Sequence, residues 1–335
     1  MRQGVLTAHA AGDAFDGIVD QVDVLSRRID GVAETAARQA TTAQEVLSSA
    51  SVLAVAARST ASSAKSLATA SERIERVTDL LGAAAVAESG APEAAAALSE
   101  IAQAMRPVFD VPREHAGRFL ALVEVARATA GTVSSGELKQ LDLAMTNNLA
   151  TFRAEVCGVT VTVTRGLHDD RPLWMHWWVN DGSTQKQLLP DLDPLSATFY
   201  DYTVADWYTT PTQREATWLS DPYYDDGGAN ADIVTISVPA AWGGELIGVA
   251  TADIDLDQIG ELCSPALRRI GRPAALVTAT GVVVASTEAD LLPAGKPLPD
   301  RTRDWLTATC GAWTDGPDGA AVARTPTLDW ALLLL

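Results

Sequence analysis

Two different periods divide this chain. From Phe15 to Leu81 apolar residues return every seven positions. One series runs Phe15, Val22, Ile29, Ala36, Ala43, Ala50, Ala57 and Ala64, then passes into Ser71 and Thr78. The other runs Ile18, Leu25, Val32, Val46, Leu53, Leu67, Ile74 and Leu81, with Gln39 and Thr60 as polar interruptions. A heptad sustained this long without a proline predicts an Ala/Ser-rich helical coiled coil over 1–90. The seam fits one helix of roughly 100 Å, or an antiparallel hairpin broken near Ser48-Ser49 or Ser62-Ser63. Either form predicts a homo-oligomer.

The heptad dissolves between Gly82 and Pro92 into a linker of Ala, Gly and Ser. Leu98, Ile101 and Met105, then Phe119, Leu122, Val123, Val125 and Ala126, follow at helical spacing, and Pro107 and Pro112 predict a break into two helices. A third helix is expected over 135–151, capped by Ser135.

From Cys157 the period becomes two. Val159-Thr160-Val161-Thr162-Val163-Thr164 alternates apolar and hydroxyl side chains, the pattern of a half-buried strand. Further strands are expected at 173–179, 233–238, 246–252, 274–278, 282–286, 319–324 and 329–335, with a helix over 255–269. Gly243-Gly244 and Thr280-Gly281 mark hairpin turns. The expected class is α+β: a long helical segment followed by two antiparallel sheets in tandem.

Composition narrows the function. A formal charge of -18 and a pI near 4.5 argue against nucleic acid, which needs clustered Lys and Arg. The three cysteines, Cys157, Cys263 and Cys310, form no CxxC pair and read as buried thiols. No apolar run approaches the length of about 20 residues needed to span a membrane, and no secretory signal pattern opens the chain. A soluble cytoplasmic protein, with no membrane insertion, is the expectation.

Between Tyr200 and Ile254 stand Tyr200-Asp201-Tyr202, Asp206-Trp207-Tyr208, Trp218, Asp221-Pro222-Tyr223-Tyr224-Asp225 and Gly248-Val249-Ala250-Thr251-Ala252-Asp253-Ile254. This string resembles the double Cache domain, a PAS-like ligand-sensing module of bacterial chemoreceptors and sensor kinases. The later Ala275-Leu276-Val277, Gly281 to Ser286 and Leu328-Asp329-Trp330-Ala331 resemble its second subdomain. The resemblance implies a ligand-binding first subdomain over 97–258, including its helical lead-in, and a smaller PAS-like one over 259–335.

It also implies a site. Tyr200, Trp207, Tyr208, Tyr223, Asp225 and Asp253 match the positions that amino-acid-binding members use, with Trp178, Tyr202, Asp206 and Trp218 as possible additions. One position departs. Those members carry an arginine two residues before the Trp-Tyr pair, and here that residue is Ala205. Arginine receives a carboxylate through paired charge-assisted hydrogen bonds. Without it, and unless Lys186 or Arg214 takes its place, two acids and several rings remain. That set suits a cation.

The expectation is a sensor of a cationic amine, relaying through the coiled coil or serving a separately encoded regulator or transporter. Alternatives are an amino-acid or other metabolite sensor, or a degenerate Cache domain kept as an oligomerisation scaffold. No nucleotide-, metal- or cofactor-binding motif is present, and His168 beside Asp169 reads as a polar turn. Asp225 and Asp253 as paired hydrolytic carboxylates are the one enzymatic reading, and it is not favoured.

Overall fold

The computed structural model describes residues 92–335, except 132, 165, 168–171, 310–312, 317–318 and 325–329, together with six positions between Leu25 and Gln39. Those six are helical, and Thr35 donates to the Gly31 carbonyl at 2.8 Å. The rest of the predicted coiled coil, His168, Cys310 and the turn at Thr325-Pro326-Thr327 lie outside the described residues. The chain divides into two units, Met1–Ile74 and Glu75–Leu335. The second unit carries both sheets.

It opens on one helix, α1, Pro92–Ala130, 39 residues long. The expected break at Pro107 and Pro112 does not occur. A proline removes one backbone hydrogen bond and crowds the preceding turn, but α1 buries Leu98, Ile101, Met105, Phe109, Phe119 and Val123 along one side. That burial, at about 1.5–3 kcal/mol per large side chain, outweighs two local defects. Val125, expected on the core face, is exposed.

The next helical stretch is broken by a single 3₁₀ turn at Lys139–Leu141, giving α2 (Ser135–Leu138) and α3 (Asp142–Thr151). Its cap is Ser134 rather than Ser135: the Glu137 carboxylate accepts from the Ser134 backbone N–H at 2.8 Å.

The first sheet contains β1 (Val156–Val163), β2 (Met175–Asp181), β3 (Thr184–Leu188), β4 (Trp218–Leu219), β5 (Tyr223–Tyr224), β6 (Asp232–Trp242) and β7 (Glu245–Asp255). Its order is β3-β2-β1-β7-β6-β4, with β5 also paired to β6. Between β3 and β6 an insertion carries a 3₁₀ turn, Tyr202–Val204, and α4, Asp206–Arg214. β1 is buried on both faces, not half-buried as its alternation predicts. Its valines meet the helices, and its threonines face the insertion.

β7 runs directly into α5, Leu256–Arg269. The Asp255 carboxylate caps this helix by accepting from the Gln258 N–H at 3.0 Å. The second sheet is built from β8 (Ala274–Thr278), β9 (Val283–Ser286), β10 (Trp313–Asp315), β11 (Ala321–Arg324) and β12 (Trp330–Leu334), in the order β10-β11-β12-β8-β9. A helix missed from sequence, α6 at Asp300–Ala308, covers it with Leu306.

In each sheet the first and last strands lie side by side at the centre, β1 on β7 and β8 on β12, and all pairings are antiparallel. The expected α+β class with tandem PAS-like sheets is the observed one. One apolar core joins both sheets to α1 and α5. There Phe109 meets Trp330 edge to face, with ring centroids 6.3 Å apart. The 258/259 boundary drawn from sequence falls inside α5.

Candidate ligand-binding site

Side chains directly opposite one another on neighbouring strands point to the same face. Across β2, β1, β7 and β6 the partners Trp177↔Thr160, Thr160↔Thr251 and Thr251↔Ser237 form one row, and Gly158↔Asp253 and Asp253↔Thr235 form the next. The insertion covers this polar face. Between them lies a cleft of about 270 Å³, partly open to solvent. Thr160, Met175, Trp177, Thr251 and Asp253 line it from the sheet, and Tyr200, Trp207, Tyr223 and Asp225 from the insertion.

Asp253 is 6% exposed. Burial, together with the charge of Asp225, pushes its carboxyl up to about 7, against the opposing hydrogen bond from Thr235. That bond spans 2.8 Å from the Thr235 hydroxyl to Oδ1. With the Thr235 proton so committed, the Tyr223 hydroxyl donates to Thr235 Oγ1, also at 2.8 Å. Burial beside Asp253 holds the Tyr223 phenol above its ordinary range. Asp225 Oδ2 accepts from the Ala229 N–H at 2.6 Å, and burial raises this carboxyl as well. Asp225 therefore pins the Gly227-Gly228 loop and lines the cleft at once.

Two glycines make room for the acids. A Cβ on Gly158 would stand 2.6 Å from Asp253 Oδ2, and one on Gly228 would stand 2.0 Å from Asp225 Oδ2 and 2.5 Å from the Trp177 ring.

Five of the six principal residues expected from sequence converge here: Tyr200, Trp207, Tyr223, Asp225 and Asp253. The sixth, Tyr208, is packed with Tyr202, Leu173 and Val249 instead. It follows Trp207 on α4 and turns toward the sheet.

None of the four additions enters the cleft. Trp178 points to the opposite face, donating to Asp142 at 3.2 Å near His176, because its neighbour Trp177 takes the cleft face. Trp218 pairs with Ser237 on β4. Asp206 is exposed in the first turn of α4. Tyr202 is fully buried, its hydroxyl donating to the Val163 carbonyl at 2.7 Å and accepting from the Trp174 N–H at 3.3 Å. Tyr202→Phe should lower stability by about 2 kcal/mol, since it strips buried backbone groups of a partner. Ligand affinity should hold within twofold; thermal melts and titration check the two halves.

Sequence reasoning missed Trp177, Thr160, Met175 and Thr251. The Val-Thr alternation of β1 carried the signal for Thr160, and the row registers extend it to its neighbours. Among the described residues no lysine or arginine lines the cleft; Lys186 and Arg214 are both exposed outside it. Cys157 and Cys263 are free thiols, and burial pushes Cys263 up to about 12. Among the described residues no cluster of His, Cys, Asp or Glu suits a metal, and no helix is long and apolar enough to cross a membrane.

Tandem PAS-like sheets, with a cleft between the first sheet and its insertion, define a Cache-type sensor. Residues 178–261, from β2 into α5, match the family model of methyl-accepting chemotaxis protein-like proteins, first PDC sensor domain. This part of the chain is similar to that family's sensor domain, and the double Cache arrangement fits the two sheets.

Solved structures similar to the chain include Methyl-accepting Chemotaxis protein X, at 18% identity and TM-score 0.44, covering 78% of this chain and 98% of that one. The ligand-binding domain of the Campylobacter jejuni chemoreceptor Tlp3, in complex with 4-methylisoleucine, is similar at 12% identity and TM-score 0.41 over 70% and 91% of the two chains. The Tlp3 sensory domain with isoleucine bound gives 13%, 0.40, 71% and 94%. No curated protein matches the chain in sequence.

Proposed function

We propose that this sensor domain binds a small organic cation, an amine without a carboxylate. The observation that carries the reading is a cleft with two carboxylates and four aromatic residues in its lining and, among the described residues, no lysine or arginine. An ammonium group donates to Asp253 and Asp225 and rests against Tyr200, Trp207, Trp177 or Tyr223, each desolvated ring contact adding about 0.5–2 kcal/mol. An amino acid would bring its carboxylate into a site where no described residue is a cation to receive it, at the position where Ala205 replaces the family's arginine.

Calorimetric titration with a panel of amines and amino acids tests the proposal. Tight binding of amino acids with no amine response would overturn it. Affinity should also depend on pH in one direction. The free protein must release the Asp253 proton before the carboxylate can pair with a cation. Affinity therefore levels off above about pH 8, stands at about half its plateau at pH 7, and is about tenfold weaker at pH 6 than at pH 8.

The same proposal includes an output. Asp253 lies two residues before the Asp255 cap of α5, and α5 packs on α1. From the insertion, Asp221 accepts from the Thr280 hydroxyl of the second subdomain at 2.8 Å. Ligand held by Asp253, Tyr223 and Asp225 would bear on both links, and through α1 on the segment preceding Pro92.

A further inference from the structure

The second chemical feature of the cleft is neutral. The row Trp177–Thr160–Thr251–Ser237 crosses four strands on one face. Its outer members carry orphaned polar atoms: Trp177 Nε1 and Ser237 Oγ are both buried with no hydrogen-bond partner. Its inner members, Thr160 and Thr251, are 3% and 2% exposed and form part of the cleft floor. Among the described residues no hydrogen bond reaches either hydroxyl. Thr162, on the same face of β1, shows the usual alternative by donating to the Val249 carbonyl at 3.2 Å. Buried polar groups in native proteins are nearly always paired, and an unpaired set beside a cleft calls for a partner that arrives with the ligand.

Spacing says where that partner sits. Thr251 and Asp253 are two residues apart on β7 and face the same way, so their backbones are separated by about 7 Å. A ligand with its nitrogen at Asp253 places a polar group at Thr251 only if that group lies one or two carbons from the ammonium.

Resting on the amine reading, we infer that the ligand is a vicinal amino alcohol or an α-amino amide. Its ammonium pairs with Asp253 and Asp225, and its hydroxyl or amide meets Thr251, Thr160 and the Trp177 N–H. A plain alkylamine leaves the row unpaired. A carboxylate finds neutral donors but no positive charge. A long polyamine overruns the gap.

Four compounds on one carbon skeleton separate these cases: isobutylamine, valinol, valinamide and valine, each titrated into the full chain at pH 8. Valinol or valinamide should bind at least about tenfold more tightly than isobutylamine. In Thr251→Val and in Trp177→Phe the ratio between valinol and isobutylamine should fall to within twofold of one. Equal affinity of isobutylamine and valinol in the unaltered protein overturns the neutral anchor and leaves the amine reading standing. Valine as the tightest of the four, or silence from all four, removes both. A ratio unchanged in the two variants also overturns the assignment of these side chains, whether or not valinol is preferred.

Discussion

Asp253→Asn is expected to make the ligand-free protein more stable at pH 8 while abolishing its response to amine. The folded protein holds the Asp253 proton up to about pH 7, whereas the unfolded chain releases it near 4. Between these values the folded state binds the extra proton. Stability therefore declines as pH rises through that window, and the full cost is present above pH 7. Three units of raised pKa amount to roughly 4 kcal/mol. Asparagine keeps the oxygen that accepts from Thr235 and removes the charge, so recovery of about half is expected. About 2 kcal/mol corresponds to about 4–8 °C in melting temperature for a domain of this size. Losing one partner of a buried charged hydrogen bond weakens ligand by about 100-fold or more. A melting temperature at or below that of the unaltered protein at pH 8 would show that Asp253 is not strained in the empty cleft.

Gly248→Val should prevent folding altogether. A Cβ here would stand 2.1 Å from the Thr162 carbonyl oxygen and 2.8 Å from the Phe119 ring. The ring can give way, but the carbonyl belongs to the neighbouring strand and cannot rotate without opening the β1–β7 ladder. The expected cost exceeds about 4 kcal/mol, beyond ordinary overpacking. Insoluble expression, or a melting temperature lowered by more than about 10 °C in the milder Gly248→Ala, is the readout. Gly260→Ala on α5 is the control. Nothing lies within 4 Å of its added Cβ, and the lower cost of alanine in a helix should yield about 0.5–1 kcal/mol. A Gly248→Ala protein as stable as this control would contradict the packing described.

What the sequence made legible depended on how local each signal was. The Gly243-Gly244 turn, with both glycines at positive φ, is decided within a few residues and was readable. The unbroken α1 was not, because the competing term is burial against two sheets far along the chain. α6 was hidden for the opposite reason: only Leu306 of its nine residues is buried, so it leaves little apolar period. β3 is a polar edge strand and equally faint.

At the site, the spaced string of rings and acids located Tyr200, Trp207, Tyr223, Asp225 and Asp253. It could not say which face each neighbour would take. Tyr200 lines the cleft while Tyr202 is core, and Trp207 lines it while Tyr208 is core. Trp177 lines it while Trp178 meets Asp142. In each pair the choice rests on which face the insertion covers, and that is settled only once the sheet has formed.

The path of α1 has a mechanical consequence. Phe109 is anchored on the second sheet through Trp330, and Phe119 on the first beside Gly248. Pro112 stands between these anchorages and supplies no main-chain N–H, so the rod joining the two lobes is most pliable along the stretch between them. A tilt of one lobe relative to the other would bend the rod there before it strained either grip.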